Sequence, residues 1–510
     1  MDRSGLRTEA ERRLWDAFPR GEMVDLGPGD PTAEGFDPDT WGEDRCVRGE
    51  VITRLLLGAC ERQPGYVARI DLAGARITGE INLSGGQTEH ELHLHRCWVD
   101  EPTTFTHASS KTVIFAKTRL PGLVGTGWQV SGSVAFADSR CEGETRLVSA
   151  HITGHLSFSG ATLTNPDGMA LSADGLTVNG SMFCREGFTA TGEVGLIGAN
   201  ITGQLDFSGA TLTNPDGTAL TADGLTVNGD MFCGEGFTAT GQVRLPGAHI
   251  TGQLDFSGAT LTNPGQLALD LEGVECPHLF LPTRTDGQID LRRARLGTLR
   301  LPTPPEQPAM RLAGLTYTDL DPDPDPPVRQ RIAWLRRDPD GFHPQPYEQL
   351  ATYYRSIGHD RDARRVLLAK HRTRRRRIPH TWHIPRLLRP LRPVLATAWR
   401  IPGWMYDALS GYGYVPWRAF IWLLAAIATG ALMLNHAAPD TPTSNKSINA
   451  LLLALDATLP TSPFGIREQA DLTGLNYGIA LALQSIGYAL ALAVIPTLTR
   501  TLNRTNPTNQ

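Results

Sequence analysis

Residues 163–211 read LTNPDGMALSADGLTVNGSMFCREGFTATGEVGLIGANITGQLDFSGAT, and residues 212–260 repeat them closely as LTNPDGTALTADGLTVNGDMFCGEGFTATGQVRLPGAHITGQLDFSGAT. Each 49-residue unit has two related halves, in which a glycine is flanked by apolar residues at every second position. Apolar residues two apart predict strands that bury alternate side chains. The glycines shared by the halves recur every 22–26 residues, at Gly132, Gly154, Gly180, Gly203, Gly229 and Gly252. A repeat of this length predicts a parallel β-solenoid whose coils stack on one another.

Weaker copies of the pattern extend the predicted solenoid over residues 67–301, where about ten coils fit. Pieces such as LDFSGATL partly resemble pentapeptide-repeat proteins, although the spacing departs from their strict four-sided coil. Two short amphipathic helices precede the repeats, so we expect residues 1–66 to form a helical cap. The sequence therefore predicts a mainly β chain.

The segment that follows the repeats changes character. Residues 302–327 are rich in proline and aspartate, which predicts a linker that ends the solenoid. Residues 328–377 predict a helical hairpin of the tetratricopeptide type, with a turn at Gly358-His359. One hairpin cannot bury a core alone, so we expect it to pack on the end of the solenoid.

The small net charge of −5 hides a strong segregation along the chain. Residues 361–400 carry +12 and residues 401–510 carry zero, so residues 1–360 carry −17. A basic block directly before an apolar tail predicts contact with anionic lipid, and residues 378–414 form a predicted basic juxtamembrane neck. The arginines assigned to this lipid-facing region are Arg372, Arg374, Arg375, Arg376, Arg377, Arg386, Arg389 and Arg392.

Residues 415–499 predict a membrane domain. Residues 415–434 and 477–498 are long and apolar enough to be spans, and residues 447–459 predict a short interfacial or re-entrant helix between them. The balance of lysine and arginine predicts a multi-pass protein of the plasma membrane with both termini in the cytoplasm. Residues 500–510 would then be a cytoplasmic tail.

The residues offer few candidates for chemistry. His93, His95 and Cys97 would share one face of a strand, a spacing that a zinc site could use, although the favoured interpretation is a polar outer face and the three are weak candidates. Cys184, Cys233 and Cys276 recur at related positions and predict a stack of small buried side chains, about 10 Å apart and too far for a disulfide. No cofactor is predicted, because nucleotide-binding, haem-attachment and nucleophile-elbow motifs do not occur.

The order of the parts resembles a group of actinobacterial, Streptomyces-type proteins described as membrane-associated oxidoreductases. The matching pieces include AERRLWDAF, FHPQPYEQLATYYRSIGHDRDARRVLLAKHR, GYGYVPWRA and ALLLALDATLP. The resemblance covers nearly the whole chain and implies an oxidoreductase. It brings no catalytic residues, so whether the chain is an enzyme stays open.

Four functions follow as hypotheses. The first is a membrane-anchored cytoplasmic scaffold whose solenoid binds a protein partner, and nucleic acid is not expected as a ligand. The second is the oxidoreductase that the resemblance implies. The third is a two-span pore with the solenoid as its regulatory domain, since span, short helix and span is the plan of simple channels. The acidic rod also suggests mimicry of DNA.

Overall fold

The computed structural model describes residues 5–301, 308–321, 326–377, 417–437, 446–459 and 475–502. The chain divides into two compact units, Met1–Gln349 and Leu350–Gln510. The first unit is a parallel β-solenoid of about 11 turns with helices at its ends. The predicted mainly β solenoid is confirmed.

Every strand pairing within the described residues is parallel, and the pairings form one sheet of 20 strands and one of 15. In chain order, the strands are β1 (Val24–Asp25), β2 (Cys46–Arg48), β3 (Ile70–Ala73), β4 (Arg76–Thr78), β5 (Leu92–His95), β6 (Trp98–Val99), β7 (Thr103–Thr104), β8 (Ser109–Ser110), β9 (Val113–Ala116), β10 (Arg119–Leu120), β11 (Leu123–Val124), β12 (Gln129–Val130), β13 (Val134–Ala137), β14 (Arg140–Glu142), β15 (Thr145–Arg146), β16 (His151–Ile152), β17 (Leu156–Ser157), β18 (Thr162–Ser172), β19 (Thr177–Val178), β20 (Met182–Phe183), β21 (Thr189–Gly195), β22 (Asn200–Ile201), β23 (Leu205–Asp206), β24 (Thr211–Thr221), β25 (Thr226–Val227), β26 (Met231–Phe232), β27 (Thr238–Arg244), β28 (His249–Ile250), β29 (Gln253–Asp255), β30 (Thr260–Asp270), β31 (Glu275–Phe280), β32 (Arg284–Asp290), β33 (Arg295–Arg300), β34 (Ala309–Arg311) and β35 (Thr316–Leu320). The 15-stranded sheet consists of β2, β4, β6, β7, β10, β11, β14, β15, β18, β21, β24, β27, β30, β32 and β34.

The core of the solenoid is built from columns of identical or similar apolar side chains. Because equivalent residues of successive coils lie in register, each inward position stacks on its counterpart one coil away. Phe136 lies between Phe115 and Phe158, with ring centroids 5.2 and 4.8 Å apart. Leucine and alanine alternate in another column of fully buried residues: Leu163, Ala190, Leu212, Ala239 and Leu261.

The predicted glycine column forms one corner of the coil. The N–H of Gly154 donates to the carbonyl oxygen of Gly132 at 2.8 Å, and Gly203 donates to Gly180 in the same way. A Cβ on Gly180 would lie 2.5 Å from the carbonyl oxygen of Gly154. The corner therefore needs glycine because the stacked backbones approach closely.

The N-terminal segment closes one end of the solenoid with helix α1 (Glu9–Ala17), helix α2 (Gly49–Leu56) and three short 3-10 helices at Phe18–Arg20, Pro38–Thr40 and Glu43–Arg45. The buried carboxylate of Glu11 accepts a hydrogen bond from Arg48 Nε at 2.7 Å and fixes α1 against β2. β1 pairs with β3, and β2 pairs with β4. The cap predicted over residues 1–66 is therefore not purely helical, since it supplies strands to both sheets.

The linker predicted over residues 302–327 is wrong in part. β34 pairs with β32, and β35 pairs with β33, so the solenoid continues to Leu320. Prolines occupy only part of this stretch, and AMRLAGLTYTDL between them keeps the alternation of a coil. Residues 302–307 and 322–325 lie outside the described residues.

Helices α3 (Val328–Arg336) and α4 (Pro344–Ser356) follow the last coil. The indole N–H of Trp334 donates to Met310 Sδ at 3.0 Å. Gln345 donates to the carbonyl oxygen of Leu315 at 2.7 Å, and Gln349 donates to that of Tyr317 at 2.6 Å. The predicted packing of this helical segment on the solenoid end is confirmed for α3 and the start of α4.

The described helices of the second unit are the remainder of α4, α5 (Asp360–Arg377), α6 (Trp417–Ala437), α7 (Lys446–Thr458) and α8 (Leu475–Leu502). The N–H of His359 donates to the carbonyl oxygen of Tyr354 at 2.8 Å and closes the predicted turn between α4 and α5. The last three helices pack through small residues, among them Ala454, Ala457 and Ala480. Among the helices that the structure describes, none is both long and apolar enough to cross a bilayer.

Candidate metal cluster and interaction face

Strand β5 places the two predicted histidine ligands on the outer side of the solenoid. Leu92 and Leu94 are buried inside, so His93 and His95 project outward with side chains 14% and 29% exposed. Their rings lie edge to face, with centroids 6.3 Å apart. Burial lowers the pKa of His93, which favours the neutral imidazole that binds metals.

The prediction that Cys97 is the third ligand is wrong. Arg96 has a positive φ of 50°, and this left-handed residue turns the chain so that Cys97 points into the core and is fully buried. Its thiol contacts the carbonyl oxygens of Leu72 and His95 at 3.5 and 3.3 Å. Burial raises the pKa of the thiol to about 12, so it stays protonated and structural.

The same corner recurs along the solenoid and explains the inward turn. Lys117 and Asp138 have φ values of 49° and 50°, and each precedes a buried hydroxyl residue, Thr118 or Ser139. The Thr118 hydroxyl donates to the carbonyl oxygen of Leu94 at 3.1 Å. Cys97 thus belongs to an internal polar column that satisfies backbone carbonyls.

Asp71 takes the place that the sequence assigned to Cys97. β3 pairs with β5 so that Asp71 lies directly opposite His93. Ligand atoms of Asp71, His93 and His95 all lie within 4.8 Å of one another. Asp71 was not predicted as a ligand, although the alignment of Ile70-Asp71-Leu72 with Leu92-His93-Leu94 one coil later places it beside His93.

A second acidic cluster has a different character. Asp270, Glu272 and Asp290 also lie close enough to hold an ion. Arg292 pairs with Asp290 at 2.7 Å and with Glu272 at 3.1 Å, and Arg293 pairs with Glu272 at 2.7 Å. Arginines therefore pair with two of the three carboxylates, Glu272 and Asp290, and these two belong to a salt-bridge network of the solenoid wall.

The 15-stranded sheet carries a regular array of threonines on its outer side. In β18, β21, β24, β27 and β30, a Thr-x-Thr tripeptide projects two hydroxyls outward around one buried leucine or alanine. The register places each pair directly over the next, as in Thr189 opposite Thr211 and Thr191 opposite Thr213. We name this the threonine face; its members are Thr162, Thr164, Thr189, Thr191, Thr211, Thr213, Thr238, Thr240, Thr260 and Thr262.

The threonine face has defined ends. One coil before it, Arg140 and Glu142 of β14 occupy the two outward positions, opposite Thr162 and Thr164. One coil after it, Arg284 and Asp286 of β32 occupy the same positions. Five uncharged rows therefore lie between two charged rows.

Three protruding loops lie beside the threonine face. Residues 165–168, 214–217 and 263–266 bulge from β18, β24 and β30, and their Pro-Asp-Gly or Pro-Gly-Gln tips are exposed. Asn165 closes the first loop by donating to the carbonyl oxygen of Met169 at 2.9 Å. Asn214 and Asn263 make the same bond to Thr218 and Leu267 at 2.8 Å. We name these the Asn loops; they recur every second coil, about 10 Å apart.

The other predicted site residues are placed as follows. Arg372, Arg374 and Arg375 lie in the last turns of α5, and Arg376 and Arg377 end that helix. Arg386, Arg389 and Arg392, with the rest of the predicted neck over residues 378–414, lie outside the described residues. Cys184, Cys233 and Cys276 are free and buried, as predicted. The predicted stack of small side chains is wrong, because the register places Phe207 between Cys184 and Cys233 and sets Cys276 in another column, opposite Leu296.

No protein-family model, curated protein or solved structure matches this chain. The resemblance to membrane-associated oxidoreductases therefore stays a prediction.

Proposed function

We propose that this chain is a scaffold whose solenoid binds a protein partner along the threonine face. The observation that carries the proposal is the array itself, five rows of paired threonines in strict register. Interior packing does not require threonine at these outward positions. The outward threonines form a continuous polar surface whose hydroxyls can each donate and accept hydrogen bonds to a partner.

The geometry of the face favours a β-rich partner. Rows of threonine are set by strand stacking at ~4.8 Å, and the two hydroxyls of a row are about 6.6 Å apart along the strand. Another stacked β-structure has the same spacing, because backbone hydrogen bonding fixes it. Hydroxyls both donate and accept hydrogen bonds, so each row can pair with whichever group the partner presents.

We expect such a partner to lie between the flanking features of the threonine face. The charged rows of Arg140 with Glu142 and of Arg284 with Asp286 bound the face at its two ends. The Asn loops bound it along one side and supply exposed Asp167 and Asp216 for contacts at the rim. Charges at the rim of an interface contribute mainly to the association rate and to orientation.

The first test places a photo-crosslinking amino acid at Asp216, on the tip of the second Asn loop, in the full chain expressed in its native cells. We expect ultraviolet light to give a defined adduct with another protein of β-rich sequence. The same amino acid at Asn200, an exposed position on the 20-stranded sheet, should give no such adduct. Gel mobility and mass spectrometry measure both.

Lysine substitutions supply the matched control for this test. Thr213→Lys with Thr240→Lys puts two cations in the middle of the face, whereas Thr177→Lys with Thr226→Lys makes the same change on the other sheet. The first pair should abolish the Asp216 adduct and the second should preserve it. An adduct of twice the chain mass would mean that the chain binds a second copy of itself and not another protein. The absence of an adduct from every Asn loop would refute the proposal.

We further propose that the second unit attaches the scaffold to the plasma membrane, with both termini in the cytoplasm. The support is the exposure of large apolar side chains on the described helices, including Trp417, Phe420 and Leu432, each 61% exposed. An apolar cavity of about 660 Å³ lies between α6 and α8 and is lined by residues such as Trp422, Met433 and Ile486. Apolar surface of this extent is unfavourable in water and suits lipid acyl chains.

Replacing apolar residues of α6 tests the attachment. Phe420→Ser, Ile421→Ser and Leu424→Ser together should move the full chain from the membrane pellet to the soluble fraction after cell fractionation. The control changes three exposed apolar residues of the first unit, Met23, Tyr66 and Val67, to serine and should leave the protein in the pellet. Wild-type protein in the soluble fraction would contradict the attachment.

A further inference from the structure

The pair of strands β3 and β5 brings two imidazoles and one carboxylate to a single point on the wall of the solenoid. His95 Nε2 lies 3.6 Å from Asp71 Oδ1. His93 Nε2 lies 3.3 Å from Glu91 Oε2, which adds a second carboxylate at the edge of the group. Two residues come from one coil and the third from the coil before, so the folded solenoid is needed to assemble the group.

Two polar atoms of this group have no hydrogen-bond partner although they are buried. They are Asp71 Oδ1 and His93 Nε2. Asp71 is only 8% exposed, and its carboxylate faces the histidines. A buried carboxylate oxygen without a donor is unfavourable, so a folded protein normally supplies it with a partner. A ligand that accepts electron pairs from both atoms removes this cost.

The neighbouring Arg69 guanidinium does not pair with Asp71 Oδ1. Arg69 approaches the other oxygen of the carboxylate, with Nη2 3.3 Å from Asp71 Oδ2. Arg96, the residue after His95, donates instead to Asp25 Oδ2 at 3.0 Å. Asp71 Oδ1 thus stays directed at the two imidazoles. The cluster of Asp270, Glu272 and Asp290 contrasts with it, because Arg292 pairs with both Glu272 and Asp290.

We propose that Asp71, His93 and His95 bind a divalent transition-metal ion, with Zn²⁺ as the ion that best fits the ligand set. Two imidazole nitrogens and one carboxylate oxygen are a ligand set that zinc and its neighbours accept, and the fourth position is open to Glu91 or water. The expected ligand is therefore a transition-metal cation of intermediate softness and not Mg²⁺ or Ca²⁺, which prefer oxygen ligands. The proposal is independent of the scaffold function.

Binding links the first coils to the cap. His95 lies in the strand next to β3, which itself pairs with β1 of the N-terminal segment. An ion held by both β3 and β5 adds a crosslink where the repeats are least regular. We therefore expect the ion to raise the unfolding temperature of the solenoid, because it binds the folded chain and not the unfolded one.

Calorimetric titration of the metal-free full chain with Zn²⁺ tests the proposal. We expect one ion per chain, and visible absorption on titration with Co²⁺ should show histidine and carboxylate coordination without a thiolate charge-transfer band. His93→Ala and His95→Ala should each weaken binding by on the order of 100-fold or more. Each variant is first compared with wild type by circular dichroism, and His95→Gln replaces any that does not fold.

Two control variants separate this site from its alternatives. Cys97→Ala tests the thiol that the sequence alone would have chosen, and His249→Ala removes an exposed histidine that also faces a carboxylate, Glu275, at 3.6 Å. Both should bind Zn²⁺ as wild type does. Absence of stoichiometric binding by the wild-type chain, equal binding by folded His93→Ala, or loss of binding in Cys97→Ala would each overturn the assignment.

Discussion

Phe207→Ala is expected to lower the free energy of unfolding of the solenoid by about 3–5 kcal/mol. The ring of Phe207 is completely buried and lies 6.2 Å from that of Phe237, centroid to centroid. The neighbouring side chains of the column cannot collapse into the space left behind, since the backbone hydrogen bonds between successive coils hold them in place. Urea unfolding followed by circular dichroism measures the change.

The control for this prediction is the same substitution on the outer side of the wall. Phe232 lies in β26 and projects outward, half-buried. Phe232→Ala should cost clearly less, because its ring leaves no enclosed cavity. Equal losses for the two variants would mean that the interior is not packed as the structure describes.

Gly241→Ala is expected to be nearly as damaging for a different reason. Gly241 has a φ of +110°, and a Cβ there would lie 2.3 Å from the carbonyl oxygen of Asn214. The added methyl group meets backbone of the Asn loop above it, which must move. We expect about 1–2 kcal/mol from the backbone conformation and a further 1–3 kcal/mol from the overlap.

Gly236→Ala separates these two contributions. Gly236 has a similar φ of +94°, but no atom lies within 4 Å of a Cβ built there. In the same urea experiment, Gly236→Ala should lower the free energy of unfolding only by the contribution of the backbone conformation. If Gly236→Ala proves as costly as Gly241→Ala, the close approach of the Asn loop is wrong. The Asp216 crosslink should also decline in Gly241→Ala, because the loop is displaced.

The sequence predicts the solenoid well because its determinants are local and repeated. Each coil has its own alternating apolar residues and its own glycine, from Gly132 to Gly252. The near-identity of two 49-residue units makes this repeat easy to recognise. The end of the solenoid is missed because prolines dominate residues 302–327. The coil formed by Ala309–Arg311 and Thr316–Leu320 carries only a single copy of the pattern.

The candidate sites depend on register and on backbone turns, which a sequence shows only indirectly. The inward turn at Cys97 follows from a positive φ at Arg96, a residue type with no preference for that conformation. The hint in the sequence is that glycines, among them Gly74 and Gly160, occupy the same corner in other coils. The Thr-x-Thr tripeptides are visible in the sequence. They form one face only because the strands of successive coils pair in the same register, which the sequence does not show. The two predicted spans and the orientation of the termini stay predictions.

The 49-residue unit gives the molecule an adjustable length. Each unit contributes one Asn loop, two threonine rows and two coils, and it ends in the same register in which it began. Removing or adding a whole unit therefore changes the separation of the two charged rows by about 10 Å and leaves every corner intact. The length of the solenoid can therefore change in steps of one unit. Tandem duplication of the coding sequence would lengthen the threonine face to match a longer partner.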